Sequence, residues 1–448
     1  MQKILTSKNE IESIQIPLSV QDIEKFYIKG AKEEGRIGLE YERLSLNKYT
    51  LKNASYESLA KILQHFARIM DWEIVYDDKT IIIVKDDKGN SVSLEPGMQI
   101  ELSLAPYKSI ALIEKEAHKI LSLLDKIADV YDVVFVAYGI SPWASAKEIE
   151  MLNKNRYVIM NNYLPKCRFA KKCPDMMRRT AGVQINIDYK NRKDCFNKLK
   201  FFNLIAPFMT ALCANSPFEY GKMSDIKSLR AQIWRHTGMD RCNMFYQKVF
   251  DKMFFISNNI YKDYIEEILD VPMVYIVRDE NNIPINGQIN FREFMQYGYM
   301  GYQAEFEDYI LHQSLCFPDI RLKNYIEIRC HDSVDIKLVI ALCAFYKGLL
   351  YEDFEKLLSY FSFLKISDVD KYSKMVLTRG LYVQADKMTA YGIIQKLHNI
   401  ALNNLPDDEK QYLMPIMEII KQKRTPADKF KDANIKTAHD FIKYINKY

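Results

Sequence analysis

Four short segments of this chain alternate, residue by residue, between a face that packs and a face that carries acids, amides or a guanidinium. Successive strand residues point to opposite sides, so residues two apart share a face at about 6.6 Å spacing. In residues 37–44 (IGLEYERL), Glu40 and Glu42 share a face. In residues 98–104, Gln99, Glu101 and Ser103 oppose Ile100, Leu102 and Leu104. In residues 182–189, Gln184, Asn186 and Asp188 oppose Val183, Ile185 and Ile187. In residues 324–330, Tyr325, Glu327 and Arg329 oppose Ile326 and Ile328. A half-solvated antiparallel sheet also alternates. These polar faces, however, repeat Glu, Gln and Asn where a solvent face favours Thr, Lys and mixed polar residues. If they converge, carboxylates meet, and two of them about 5 Å apart repel by about 3 kcal/mol at an effective dielectric of 20. Such a cluster needs cations, and an all-oxygen donor set selects Mg²⁺ or Mn²⁺.

Basic residues accompany the acids. Arg321, Lys323 and Arg329 surround Glu327, Arg178 and Arg179 precede residues 182–189, and Arg230, Arg235 and Arg241 lie in RAQIWRHTGMDR. Guanidinium and ammonium groups beside oxygen-bound metals form the usual apparatus of phosphoryl transfer. Competing signatures are missing. The sequence holds no G-x-x-x-x-G-K-[ST] loop, no G-x-G-x-x-G after a strand, no G-x-S-x-G and no H-E-x-x-H. With only 15 glycines, a nucleotide is expected to be held by metals and side chains rather than by a Gly-rich loop. His236 and His331 read as local hydrogen-bonders.

The bulk composition narrows the class further. Over 448 residues, 27% charged and 48% apolar is the balance of a soluble globular chain. A net charge of +5, spread without a basic arm, gives no argument for nucleic acid. The most apolar run, residues 338–346, is too short to span a membrane. The first ten residues carry no secretory pattern. Eight scattered cysteines read as reduced thiols in a cytoplasmic protein, without zinc spacing. The oligomeric state is not legible.

The pattern along the chain predicts helices over 20–34 (Ser19 as N-cap), 55–70, 109–130, 191–214, 291–297 and 304–315. It predicts strands over 37–46, 73–76, 81–85, 91–95, 98–104, 132–140, 182–189, 273–278 and 324–330. Residues 141–180 read as a long loop with short helices, and 335–448 as mostly helical. The expected organisation is one catalytic domain over 1–448, with a sheet-containing core over about 20–335 and a helical part over about 336–448.

The polar-faced segments resemble glutamate–cysteine ligase in the form shared by plants and many bacteria. IGLEYERL is similar to that family's Gly-x-Glu-x-Glu strand, and VSLEPGMQIELSLAP to its Leu-Glu-Pro-Gly-x-Gln-x-Glu segment. MMRRTAGVQINIDY, CANSPF, RAQIWRHTGMDR, FPDIRLKNYIEIRCHDS and RTPADKF follow in the family's order, from about residue 20 to 430. The resemblance implies an α+β fold like the glutamine synthetase catalytic domain, a curved antiparallel sheet forming a funnel with helices around it. It implies ligation of glutamate, through its γ-carboxylate, to cysteine by way of γ-glutamyl phosphate, with ATP and Mg²⁺ (or Mn²⁺).

By motif and face, Glu40, Glu42, Glu95, Glu101, Gln184 and Glu327 are expected at the metals. Arg329 and Lys323 are expected to neutralise phosphate. Arg230 and Arg179 are expected on the glutamate α-carboxylate, with Asn186, Trp234, Thr237 and Arg241 as further substrate candidates. For Trp234 core packing is the competing reading. The alternatives are a related ligase with another amine acceptor, and a non-catalytic ligand-binding relative. No second ATP-binding segment is visible, so the tripeptide step of glutathione synthesis is expected elsewhere. Some positions depart from the family. Tyr41 and Arg43 replace His and Lys, Met98 and Leu104 replace glycine, and Cys330-His331 replaces a Gly-Ala pair.

Overall fold

The strand β1, Ile37–Asn47, organises the sheet. It is described here from a computed structural model covering residues 17–32, 35–168, 170–238, 241–242, 259–435 and 437–445. Thirteen strands concern the site and its surroundings: β1, β2 (Glu73–Asp77), β3 (Thr80–Lys85), β4 (Ser91–Leu94), β5 (Ile100–Tyr107), β6 (Val133–Val136), β7 (Gly182–Ile187), β8 (Phe218–Glu219), β9 (Lys222–Met223), β10 (Tyr275–Arg278), β11 (Asn281–Pro284), β12 (Ile320–Leu322) and β13 (Ile326–Asp332). The main sheet runs β12-β13-β7-β1-β5-β4-β3-β2, and β6 pairs with the second half of β1. Every pairing in it is antiparallel. The expected α+β architecture with an antiparallel sheet is therefore present.

One face of the sheet packs. Leu39, Tyr41, Leu102, Leu104, Val183, Ile185, Ile187, Ile326 and Ile328 are all buried. Helices Ile110–Val130, Arg192–Leu212 and Ile336–Leu350 lie against these strands. In Ile336–Leu350, twelve residues in succession, Leu338 to Leu349, are buried. A fully buried Leu, Ile or Phe contributes about 1.5–3 kcal/mol, so this helix is a major anchor of the sheet. The start of Val20–Gly30 follows its sequence signal. Ser19 caps it, and Asp22 closes a reciprocal capping box. The expected helix ended at 34, but the observed one ends at Gly30, and residues 33 and 34 lie outside the described residues.

Three expectations need correction. The strand foreseen over 132–140 pairs only at Val133–Val136; beyond it the backbone turns to Asn215 and Thr180. The strand foreseen from residue 98 begins at Ile100, because Met98 takes φ +66° in the turn Glu95–Gln99. A side chain in that conformation carries strain of order 1 kcal/mol, which accounts for the family's glycine there. The strand foreseen over 324–330 runs instead from Ile326 to Asp332, and its register against β7 shifts between Ile328 and His331. Arg329 and Cys330 together oppose Gln184, which is a β-bulge. The Cys330-His331 departure sits in that bulge. Residues 141–180 do contain short helices, Asn155–Tyr163 and Cys173–Arg179. The strands β8, β9, β11 and β12 and the helices Leu229–Trp234 and Ile260–Leu269 were not foreseen.

Candidate active site

Register converts the four alternating faces into one surface. Glu42 stands opposite Glu101, and Glu40 opposite both Ser103 and Gln184. Glu327 stands opposite Asn186. Directly opposed residues of antiparallel strands lie on the same side at close range. The amides of β7 therefore serve the acids of β1. Asn186 Nδ2 donates to Glu40 at 2.8 Å, and Gln184 Nε2 to Glu42 at 2.8 Å. The Gly182 N–H donates to Glu42 at 2.6 Å, and the Ser103 hydroxyl to Glu101 at 3.2 Å.

These acids floor a cleft of about 280 Å³. Glu40, Glu42, Glu95, Glu101, Gln99 and Gln184 form its polar base. Tyr157, Met160, Met176 and Met177 line one side, and Trp234, Tyr275, Leu315 and Phe317 another. Arg156, Arg321 and Arg329 bring positive charge to it.

The electrostatics show what this floor lacks. Burial raises the pKa of Glu40, Glu42 and Glu101, and neighbouring carboxylates raise it further: Glu327 for Glu40, Glu95 for Glu42, and Glu95, Glu40 and Glu42 for Glu101. Glu327 is the opposite case. Burial works to raise its pKa, but Arg321, Arg329 and Lys323 hold it well below the usual range. Their nitrogens lie 2.6, 3.1 and 3.1 Å from its oxygens. The charge at Glu327 is therefore already matched, whereas that at Glu40, Glu42 and Glu101 is not. Four buried polar atoms here have no hydrogen-bond partner: Gln184 Oε1, Asn186 Oδ1, Arg230 Nε and Trp234 Nε1. Buried polar groups are rarely left so.

The sequence-derived residues divide accordingly. Glu40, Glu42, Glu95, Glu101, Gln184, Trp234 and Arg329 line the cleft. Asn186 stands behind Glu40, and Lys323 against Glu327 and the Tyr325 hydroxyl. Glu327, expected at a metal, is enclosed by its three cations. Arg230 lies just beneath the wall, donating to the Arg329 carbonyl at 3.1 Å. The Trp234 ring, expected to pack, does both. It meets Phe317 edge-on, and the guanidiniums of Arg230 and Arg329 lie 5.7 and 5.8 Å from its centroid.

Besides Glu327, Lys323, Asn186 and Arg230, which stand next to lining residues without lining the cleft themselves, three candidates are engaged elsewhere. Arg179 is fully buried and bound to Asp175, Glu219, the Tyr220 hydroxyl and the Ser141 carbonyl, tying the β8–β9 hairpin to its helix. Arg241 donates to the carbonyls of Leu315 and Pro272. The Thr237 hydroxyl donates to the Trp234 carbonyl. Conversely, Arg156 and Tyr157 were missed because their helix, NRYVIMNNY, lacks an apolar stripe and a side-chain cap. Arg321 was noticed beside Glu327 but not placed at the site. None of Tyr41, Arg43, Met98, Leu104, Cys330 or His331 lines the cleft.

A family model described as glutamate-cysteine ligase family 2 matches residues 36–443. The chain belongs to that family. It is 32% identical over 423 residues to the chloroplastic glutamate–cysteine ligase of Nicotiana tabacum, covering 92% of this chain and 79% of the relative. It is 35% identical over 343 residues to that of Arabidopsis thaliana, covering 75% and 64%. Among solved structures it resembles the glutamate–cysteine ligase of Francisella tularensis in complex with AMP, with TM-score 0.53 and 12% identity, covering 92% of this chain and 87% of that one. At that identity the likeness concerns the fold, and it agrees with the sheet-and-helix architecture inferred from the family's motifs.

Proposed function

We propose that this protein joins L-glutamate to L-cysteine at the expense of ATP, the first step of glutathione synthesis. The observation that carries the reading is the unmatched acid floor facing Arg321 and Arg329, in a chain of this family. Phosphoryl transfer from ATP to the glutamate γ-carboxylate gives ADP and γ-glutamyl phosphate. The cysteine amine attacks the acyl carbon, phosphate leaves, and the amine loses a proton.

The donor set fits a hard divalent cation. It is all oxygen, it has repelling carboxylates, and the Gln184 Oε1 acceptor has no partner. Glu40, Glu42, Glu95, Glu101 and Gln184 would hold Mg²⁺ or Mn²⁺, which neutralises charge on phosphate oxygens. Among the described residues these carboxylates line the cleft rather than close a metal cage. Arg329 and Arg321 offset charge on the transferring group, and Glu327, which also binds Lys323, keeps them in place. Arg230 and Trp234 mark the glutamate side, since a guanidinium suits a carboxylate. Met160, Met176, Met177 and Tyr157 shield the acyl phosphate from water.

The helical part is read as belonging to the same catalytic domain. Its helix Ile336–Leu350 packs behind β1 and β7, and the Tyr346 hydroxyl meets His331 at 2.8 Å. The departures Leu104 and Cys330-His331 lie away from the cleft, so they give no reason to prefer another amine. The test is ADP release with glutamate and a panel of amines. Release that requires glutamate and is fastest with cysteine supports the reading. Release without glutamate, or equal rates across amines, refutes it.

A further inference from the structure

Asp332, the last residue of β13, is fully buried and was not among the expected site residues. Alternation from Glu327 would turn it to the packing face. The bulge reverses that parity: His331 opposes Val183 and packs, while Asp332 opposes Gly182 on the cleft side. Its carboxylate collects three donors. Oδ2 accepts the Asn215 N–H at 2.9 Å and the Ser216 hydroxyl at 2.7 Å, and Oδ1 accepts the Ser228 hydroxyl at 2.7 Å.

Both hydroxyls pass the connection on. Ser228 Oγ accepts the Ala231 N–H at 3.0 Å, and Ser216 Oγ accepts the Arg230 N–H at 3.2 Å. Ser228 is the N-cap of Leu229–Trp234, the helix that carries Arg230 and Trp234. Each hydroxyl thus donates to Asp332 and accepts from the first turn of the helix. That polarity requires an acceptor-only group at 332; an amide would turn an NH₂ toward one of the donors. Two glycines fit the arrangement. A Cβ on Gly139 would lie 2.8 Å from Asp332 Cγ, and one on Gly182 would lie 2.5 Å from Arg230 Nη2. Gly182 also gives its N–H to Glu42. Asp332, the Arg230 guanidinium and the acid floor therefore meet around one backbone segment.

We propose that Asp332 is a positioning residue, the buried carboxylate that seats the Arg230–Trp234 helix against the acid floor. This rests on the proposed function only in taking Arg230 and Trp234 as the glutamate side; the seating itself is a separate claim. It also explains why CANSPF accompanies the cleft motifs without lining the cleft.

The test uses the full chain with Asp332→Asn, Ser228→Ala and Ser216→Ala. Parallel versions carry Trp72→Phe and Trp143→Phe, so that fluorescence reports Trp234 alone. The expected result is a KM for glutamate raised about tenfold, with the KM for ATP within about twofold. Acrylamide should quench Trp234 more readily. A residue that merely stabilised the fold would lower the melting temperature without splitting the two KM values. Arg230→Ala separates the claims. If it raises the glutamate KM while the Asp332 and serine variants keep wild-type KM and quenching, the positioning role is refuted and the functional reading stands. If Arg230→Ala leaves that KM unchanged, the substrate assignment fails and quenching decides alone: greater quenching supports the seating, and wild-type quenching overturns it. Should Asp332→Asn fail to fold, the serine variants decide by the same readouts.

Discussion

Glu42 accepts two hydrogen bonds, from the Gly182 N–H and Gln184 Nε2, and stands opposite another carboxylate, Glu101. Those donors soften its burial without supplying a full positive charge. Glu327, two strands away across β7, has three cations. Under the proposed function the two acids would do different work, cation holding for Glu42 and side-chain anchoring for Glu327. Glu42→Gln should therefore abolish Mg²⁺-dependent ADP release. In the presence of a chelator its melting temperature should equal or exceed that of the parent, because a repelling charge has gone. Near-normal turnover in this variant would end the cation assignment. Glu327→Gln should instead lower the melting temperature, since Arg321 loses its charged partner in a buried site. An unchanged or raised midpoint by thermal denaturation would show that the cations are not held there by charge.

At the scale of elements, the strands with two different faces were legible, because burial on one side and polar contacts on the other leave a period of two in the sequence. Elements whose residues serve a cleft wall were not. In Asn155–Tyr163, the buried Tyr157, Ile159 and Met160 face no single core stripe, so Arg156 and Tyr157 escaped notice. The bulge in β13 was equally invisible, because one extra residue flips the parity of Asp332 without changing composition. Arg179 shows the reverse error. Its neighbourhood to a cleft strand suggested a ligand contact, yet a hairpin absent from the sequence reading took its donors. Local signals were more dependable at helix ends. Helix Tyr56–Met70 ends on exposed Asp71 at φ +55°. Asp71→Gly should raise stability by about 0.5 kcal/mol by relieving that left-handed residue. A lower midpoint in urea unfolding would contradict it.

For the molecule as a whole, two fully buried histidines make stability depend on pH. Burial depresses His312 to about 3 and His331 to about 4. At these two positions the unfolded chain binds protons near pH 6.5 while the folded chain does not, so they remove stability as pH drops from about 6.5 toward 4, against the opposite contribution of Glu40, Glu42 and Glu101, whose raised folded-state pKa values favour proton binding by the folded chain. Each proton contributes about 1.4 kcal/mol per pH unit in that window. Urea unfolding between pH 7.5 and 4.5 checks this, and His312→Gln should remove one proton's share; a slope unaffected by that change would contradict it. No helix among the described residues is long and apolar enough to cross a membrane, and the sheet and helical parts share one continuous core. The central claim is that this frame activates a carboxylate by phosphorylation. Its most direct measurement follows oxygen. Glutamate labelled with ¹⁸O in the γ-carboxylate is turned over with ATP and cysteine, and the released phosphate is examined by mass. One ¹⁸O atom in the phosphate is the expected result, carried across in the acyl phosphate. Unlabelled phosphate, with dipeptide formed, would contradict the account.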